Sequence, residues 1–259
     1  MTGERRLRLA VSGTYSTGKT TTTEALTRWL GIPRTHARTM REILPEAYPG
    51  KALEDCGPAE LFQLGLVRFT ERAVRESAMA GSFISDGSSL HEWVYGAARM
   101  RVGINPSDHR AVRYAKAVVR LPYRPLLLKL NDAFGAVVKR HAKQSYDEFI
   151  HLPVELPLVK DGHRPVSEEF RRLSDRLLEQ TLRELDIKYH VVSGSLEQRL
   201  RTIAELYGFT PVMPLDRAIA EATQYVQRLH IELESDAQAA ALRRQSAPWY
   251  ARIRERLVA

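Results

Sequence analysis

Gly13-Thr14-Tyr15-Ser16-Thr17-Gly18-Lys19-Thr20 fills every fixed position of the pattern G-x-x-x-x-G-K-[ST], a loop that holds phosphate groups by its backbone. Its flanks matter as much as the match. Residues 7–11 form a short apolar run suited to a buried strand, and beyond Thr20 the apolar residues Ala25, Leu26, Trp29 and Leu30 recur at helical spacing until Gly31. Strand, glycine loop and helix therefore follow in the order such a loop needs. Gly13 and Gly18 allow backbone angles and a close approach that a Cβ would block, so successive N–H groups can converge on phosphate oxygens. The helix start adds partial positive charge. On this reading Gly13, Thr14, Tyr15, Ser16, Thr17, Gly18, Lys19, Thr20 and Thr21 surround a nucleoside triphosphate. Lys19 reaches the β- and γ-phosphates, and the Thr20 hydroxyl is placed to ligate Mg²⁺.

Downstream, residues 32–39 give a short, polar and weakly signalled second strand, and residues 40–45 a helical stretch stopped by Pro45. Pro58 opens a long helix with Leu61, Leu64, Val67, Phe69, Val74 and Met79 on its apolar face and Gly81 at its end. Residues 82–87 read as a strand carrying Asp86 at its carboxyl end, and Ser89 with Glu92 has capping-box form for the helix that follows. Helical stretches at 107–120 and 124–142 precede a strand at 146–152, whose interior Asp147 and Glu148 are unusual for a core position. A proline-punctuated stretch at 153–165 leads to a helix over 167–185, a last strand over 188–192, and a helix from Ser195 to Gly208. Residues 215–234 and 236–258 read as two charged helices. Strands alternating with helices predict a parallel sheet covered on both faces, with the phosphate loop and Asp86 at the same carboxyl edge.

Composition bounds the rest. The 259 residues suit one domain of generous size with an appendage, and the single Cys56 excludes an internal disulfide and a cysteine-rich metal site. A cytoplasmic setting is expected, because the amino terminus has no apolar leader and no stretch is long enough to span a bilayer. The net charge of +8 is concentrated: residues 88–145 hold eleven Lys/Arg against three acids. Such an excess suits an anionic substrate, a nucleic-acid end, an acidic protein face, or simply a solvated surface.

Asp86 is the second anchor, since an acid ending a strand after a phosphate loop usually holds Mg²⁺. Its neighbour is Gly87, where motor-type ATPases place a water-orienting glutamate, and no Asn-Lys-x-Asp stretch is present to read guanine. Hydrolysis and switch-GTPase readings are thereby disfavoured.

With these residues in view the chain resembles the phosphate-loop small-molecule kinases, particularly the ribosylnicotinamide-kinase-like AAA-type ATPases, and more distantly deoxynucleoside and nucleoside monophosphate kinases. The resemblance runs from about residue 7 to 209. It rests on the loop, Arg41-Glu42-Ile43-Leu44, Phe83-Ile84-Ser85-Asp86, Asp161-Gly162-His163-Arg164 and Val191-Val192-Ser193-Gly194. It implies an α/β three-layer fold with a five-stranded parallel sheet, a helical lid over 153–172, and a core spanning 1–209. Residues 210–259 are then a carboxyl-terminal helical extension, packed on the core or serving a homo-oligomer interface. It also implies that Arg164 closes onto the transferring phosphoryl group, assisted by Arg171 or Arg172, and that residues 193–198 line adenine.

Relatives place an arginine after the third-strand aspartate and a glutamate ending the second strand, whereas this chain has Gly87 and, near that strand, His36 and Arg38. The acceptor site is accordingly assigned to His36, Arg38, Arg41 and Glu42, with Asp86 as general base and His36 or Glu42 as substitutes. The expected activity is transfer of the γ-phosphoryl group of Mg-ATP to a hydroxyl of a small polar, nucleoside-like or anionic metabolite, with Lys19, Asp86 and Arg164 catalytic. Two alternatives stay open: a polynucleotide 5′-hydroxyl kinase or other nucleic-acid enzyme using the 88–145 segment, and a non-catalytic ATP-gated regulatory module.

Overall fold

The computed structural model describes residues 6–49, 51, 53, 56–103, 123–158 and 167–246. In chain order the elements are β1 (Arg8–Ser12), α1 (Lys19–Leu30), β2 (Arg34–Thr35), α2 (Met40–Ala47), α3 (Pro58–Ser77), β3 (Phe83–Asp86) and α4 (Leu90–Val102). They continue with α5 (Arg124–Ser145), β4 (Glu148–His151), α6 (Glu168–Glu184), β5 (Tyr189–Val191), α7 (Leu196–Tyr207) and α8 (Leu215–Ser246). The five strands are all parallel in the order β2-β3-β1-β4-β5. Val11 of β1 is in register with Asp86, and Ser12 with His151. The two central crossovers therefore bring the phosphate loop, Asp86 and the end of β4 to one edge.

Strand alternation divides the core. Leu9, Val11, Ile84 and Ile150 pack with Leu26 and Trp29 of α1, Leu200 and Ile203 of α7, and Ala218 and Ala222 of α8. Ala10, Phe83 and Phe149 face the other way, onto Leu90, Val94 and Ala98 of α4 and Phe170, Leu178 and Leu182 of α6. The carboxyl-terminal helix thus belongs to one covered face of the sheet. It runs unbroken from Leu215 to Ser246, where the sequence reads as two helices.

Several local expectations change for identifiable reasons. α2 continues two residues past Pro45, because its start is secured by a full capping box between Thr39 and Glu42. α3 ends at Ser77, four residues before Gly81, and Val74 is 61% exposed instead of facing the core. Its buried face carries Arg72 and Glu76, polar residues that an apolar-periodicity reading discards. Arg72 donates to Ser85 Oγ (2.8 Å) and to the Asp86 carbonyl (3.1 Å), while Glu76 accepts from Ser85 (2.6 Å) and Tyr146 (3.1 Å). Burial and the Glu76 charge raise the Tyr146 phenol well above its usual value, so it remains a donor.

The capping box expected at Ser89 does not form. Ser89 Oγ donates to the Val138 carbonyl, Glu92 is buried against Arg68 (3.0 Å), and the Ser88 N–H instead meets His91 Nδ1 at 3.0 Å. The two acids at the start of β4 are neutralised in place: Asp147, just before the strand, pairs with Arg8 (2.7 Å), and Glu148, its first residue, accepts from Lys188 (2.8 Å) and Tyr207 (3.0 Å).

Candidate active site

Residues 13–18 leave the end of β1 and re-enter the fold as α1, with Gly13 (φ 138°), Ser16 (φ 56°) and Gly18 (φ 84°) in left-handed or neighbouring conformations. Alternation of this kind turns successive N–H groups to one side and carbonyls to the other, which makes the concave side an anion nest. At Gly13 a Cβ would lie 2.6 Å from the Leu152 carbonyl and 2.8 Å from Thr17 Oγ1, so a side chain there collides with the wall of the sheet.

The convex side is fully occupied. Every carbonyl from Gly13 to Gly18 accepts a hydrogen bond from within the chain. Gly13 O accepts from His91 Nε2 (2.9 Å), and Thr14 O from Thr17 Oγ1 (3.0 Å) and Lys19 Nζ (2.5 Å). Tyr15 O and Ser16 O accept from Arg171 (2.8 and 3.3 Å), Thr17 O from Arg199 (2.7 Å) and Gly18 O from the Thr22 amide (2.9 Å). Three side chains from α4, α6 and α7 therefore hold the loop from behind.

His91 does this as a neutral ring. Burial, with the charges of Lys19 and Arg72 added, drives its pKa well below the usual value. Its Nδ1 accepts from the Ser88 amide, which leaves the proton on Nε2 for the Gly13 carbonyl.

Arg171 corrects an expectation. It was anticipated at the transferring phosphoryl group; instead it is 1% exposed and committed to loop carbonyls and to Glu168. Arg172, its neighbour, is 70% exposed and faces Glu168. Arg199 gives no sequence signal, because on an amphipathic helix it looks like any surface arginine. It also bonds Glu155 (3.2 Å), whose carboxylate accepts from the Gly194 amide (3.1 Å), so the loop after β5 is joined to the phosphate loop through two side chains.

Asp86 ends β3 in register with Val11, two residues before Gly13. Its carboxylate lies 3.7 Å from Arg34, which also pairs with Glu24 of α1 (3.3 Å) and donates to the Tyr225 hydroxyl of α8 (3.2 Å). The Arg34 guanidinium stands 5.3 Å over the Tyr225 ring. Hence α8 braces the residue that braces Asp86.

His36 lies within electrostatic reach of Asp86 and Glu42. Its pKa is lowered, chiefly by burial and then by Arg34 and Arg75, against the opposing carboxylates. Of the other acceptor candidates, Glu42 uses its carboxylate to close the Thr39 cap (2.6 Å), and Arg41 lies half-buried in the first turn of α2. Arg38 turns the other way and pairs with Glu71 (2.6 Å) and Glu46 (2.6 Å). Asp86 thus shares the sheet edge with the loop and His36 lies near both Asp86 and Glu42, whereas Arg38 is engaged by Glu71 and Glu46, and Arg164 lies outside the described residues.

The donor set fits Mg-ATP. A nest of amides with one ammonium suits a polyphosphate. The Thr20 hydroxyl and the Asp86 carboxylate are hard oxygen donors of the kind Mg²⁺ takes, with phosphate and water completing its shell.

A family model described as an AAA domain matches residues 8–199. No curated protein sequence matches the chain. Among solved structures, deoxyadenosine kinase from M. mycoides with bound dATP is 16% identical, with a TM-score of 0.55 over 78% of this chain and 100% of that one. The structure of deoxyadenosine kinase from M. mycoides with bound dCTP gives 16% identity and a TM-score of 0.51, over 78% and 99% of the two chains. At such identity the likeness is one of fold, and it accords with the parallel five-stranded sheet. The family match runs from β1 into α7 and takes in the loop, Asp86 and all three side chains that grip the loop. The chain belongs to the AAA-domain family of phosphate-loop proteins.

Proposed function

We propose that the protein is an ATP-dependent phosphotransferase that moves the γ-phosphoryl group of Mg-ATP to a hydroxyl of a small polar, nucleoside-like metabolite. The observation that carries this reading is the phosphate loop with all its carbonyls tied back, opening beside an acid that lacks the neighbouring glutamate of a hydrolase. The deoxyadenosine kinase of like fold, solved with dATP bound, supports a nucleotide at this edge. Lys19 and the loop amides hold the triphosphate, while Thr20 and Asp86 are the residues that would hold Mg²⁺. When bound, that ion would supply charge neutralisation for the triphosphate. Asp86 accepts the acceptor's proton, with His36 next in line, and Arg164, outside the described residues, is assigned to the charge of the transferring phosphoryl group.

Catalysis on this reading is positioning and electrostatics, so removing one charged partner is expected to cost about 10²–10³ in rate. Incubation of the protein with Mg-ATP and a nucleoside-containing metabolite extract should yield, by mass spectrometry, a species heavier by one phosphoryl group. Lys19→Ala and Asp86→Asn should each abolish it while circular dichroism stays unchanged. Near-normal turnover in either variant would sink the mechanism.

The nucleic-acid alternative would draw on the described part of the basic segment, whose cations divide into two groups. Arg99 is buried over the Phe170 ring (5.3 Å), and Lys139 lies over Trp93 (4.2 Å) and 3.7 Å from Glu184. These two cations serve packing contacts, whereas Arg101, Arg124, Lys129, Arg140 and Lys143 of the same segment are exposed and available to an anionic partner.

A further inference from the structure

On the face of the sheet opposite α1, the end of β4 meets α6. His151 is fully buried there, with Nε2 3.3 Å from Asp175 Oδ1 and 3.6 Å from Glu179 Oε1. The three donor atoms all lie within 4.8 Å of one another. Neither His151 Nε2 nor Asp175 Oδ1 has a hydrogen-bond partner, although both atoms are buried. A buried imidazole nitrogen aimed at two carboxylates without a bond to either is costly, unless a cation stands between them.

The separations are those of a coordination shell. Two ligands each about 2.0–2.2 Å from one tetrahedral ion lie roughly 3.4 Å apart, and the observed nitrogen–oxygen distances bracket that value. The other ring nitrogen is engaged as a metal-binding histidine requires: Nδ1 is 3.1 Å from Ser12 Oγ, the residue just before the phosphate loop. Asp175 and Glu179 keep 17% and 29% side-chain exposure, so an ion has a path in and room for water as a further ligand.

We infer that His151, Asp175 and Glu179 form a binding site for a divalent first-row transition metal, with Zn²⁺ the best match to one imidazole and two carboxylates. A hard ion such as Mg²⁺ or Ca²⁺ prefers an all-oxygen shell. The site is separate from the Thr20–Asp86 position. Arg171, Asp175 and Glu179 follow at four-residue spacing on one stripe of α6, with Arg171 reaching the loop carbonyls and the two acids reaching His151. A metal here clamps α6 to β4 and thereby steadies the arginine behind the phosphate loop.

The test is titration of Zn²⁺ into the full chain after chelator treatment, in nucleotide-free buffer, by calorimetry, with elemental analysis after desalting. One saturable ion per chain is expected, retained in Thr20→Ala, and substituted Co²⁺ should give visible absorption bands of a low-coordinate site. Glu179→Gln, at the solvent rim, and His151→Gln should each weaken binding by more than the tenfold or so that even an outer-shell partner is worth. Because His151→Gln can disturb the core, Glu179→Gln is the deciding variant. Absence of a saturable site overturns the assignment, as does unchanged affinity in Glu179→Gln.

Discussion

The two walls of the candidate site are built on different principles. The phosphate wall is a run of consecutive residues whose carbonyls are all satisfied by groups buried behind them. The wall proposed for the acceptor is assembled from β2, the end of β3 and α2, held by ion pairs that run from the largely buried Arg34–Asp86 to the partly exposed Arg38–Glu71. The first is rigid because each peptide of the loop has a single orientation that satisfies it. The second can be retuned one side chain at a time.

Gly13→Ala breaks the stiff wall most directly. The positive φ alone costs about 1–3 kcal/mol, and the added Cβ would meet the Leu152 carbonyl at 2.6 Å, a backbone atom of the residue whose N–H bonds the Ser12 carbonyl. Loss of ATP binding by calorimetry and a large fall in Tm are expected. Gly65→Ala on α3 is the control: nothing lies within 4 Å of its Cβ position, and a helical Gly-to-Ala change should stabilise by roughly 0.5–1 kcal/mol. Equal effects from the two substitutions would contradict the comparison.

Arg171→Met acts on the same wall from a distance. It removes charged hydrogen bonds from Tyr15 O and Ser16 O, leaving those carbonyls unsatisfied at about 1–3 kcal/mol. A loop displaced by even 1 Å can lose on the order of 10² in rate. The variant should therefore raise KM for ATP and lower kcat, while KM for the acceptor stays unchanged.

The difference between the walls also explains what could be read from the chain. The phosphate wall is contiguous, so its motif, its strand and its helix were legible together, as were the parallel sheet and Asp86 at its edge. Its anchors were not. Arg171 and Arg199 bind backbone carbonyls, which have no side-chain signature, and His91 sat within a spurious capping box. β2 was faint because only Arg34 and Thr35 pair at the sheet edge. The buried face of α3 escaped periodicity because Arg72 and Glu76 occupy it. The seat of α8 on α1 rests on Ala218 and Ala222, small residues with little hydrophobic signal.

Acid should weaken the fold through the histidines that these contacts keep neutral. His91, His36 and His141 all have lowered pKa values, with burial the largest cause. Above the unfolded value of about 6.5 neither state binds the proton, and no penalty exists. As pH falls below it the unfolded chain takes up protons that the native state refuses, so stability declines, by at most about 1.4 kcal/mol per pH unit for each histidine. Denaturant midpoints should drop between neutral pH and the pH range below His91's unfolded value. His91→Gln should flatten that slope while lowering stability at neutral pH.

Arg38→Ala is the gentlest test and bears on the acceptor wall alone. Its guanidinium is tied to Glu71 of α3 and Glu46 of α2, partly open to water, and its pKa is raised by those two carboxylates. Exposed pairs contribute little and are screened by salt. The variant should therefore show a small fall in Tm at low ionic strength that vanishes in concentrated salt, with KM for ATP and for the acceptor unchanged. A rise in acceptor KM alone would return Arg38 to the binding site, since loss of an outward-facing pair gives no route to the acceptor. That outcome would mean the guanidinium leaves Glu71 when substrate binds, making the acceptor wall one that is completed by its ligand.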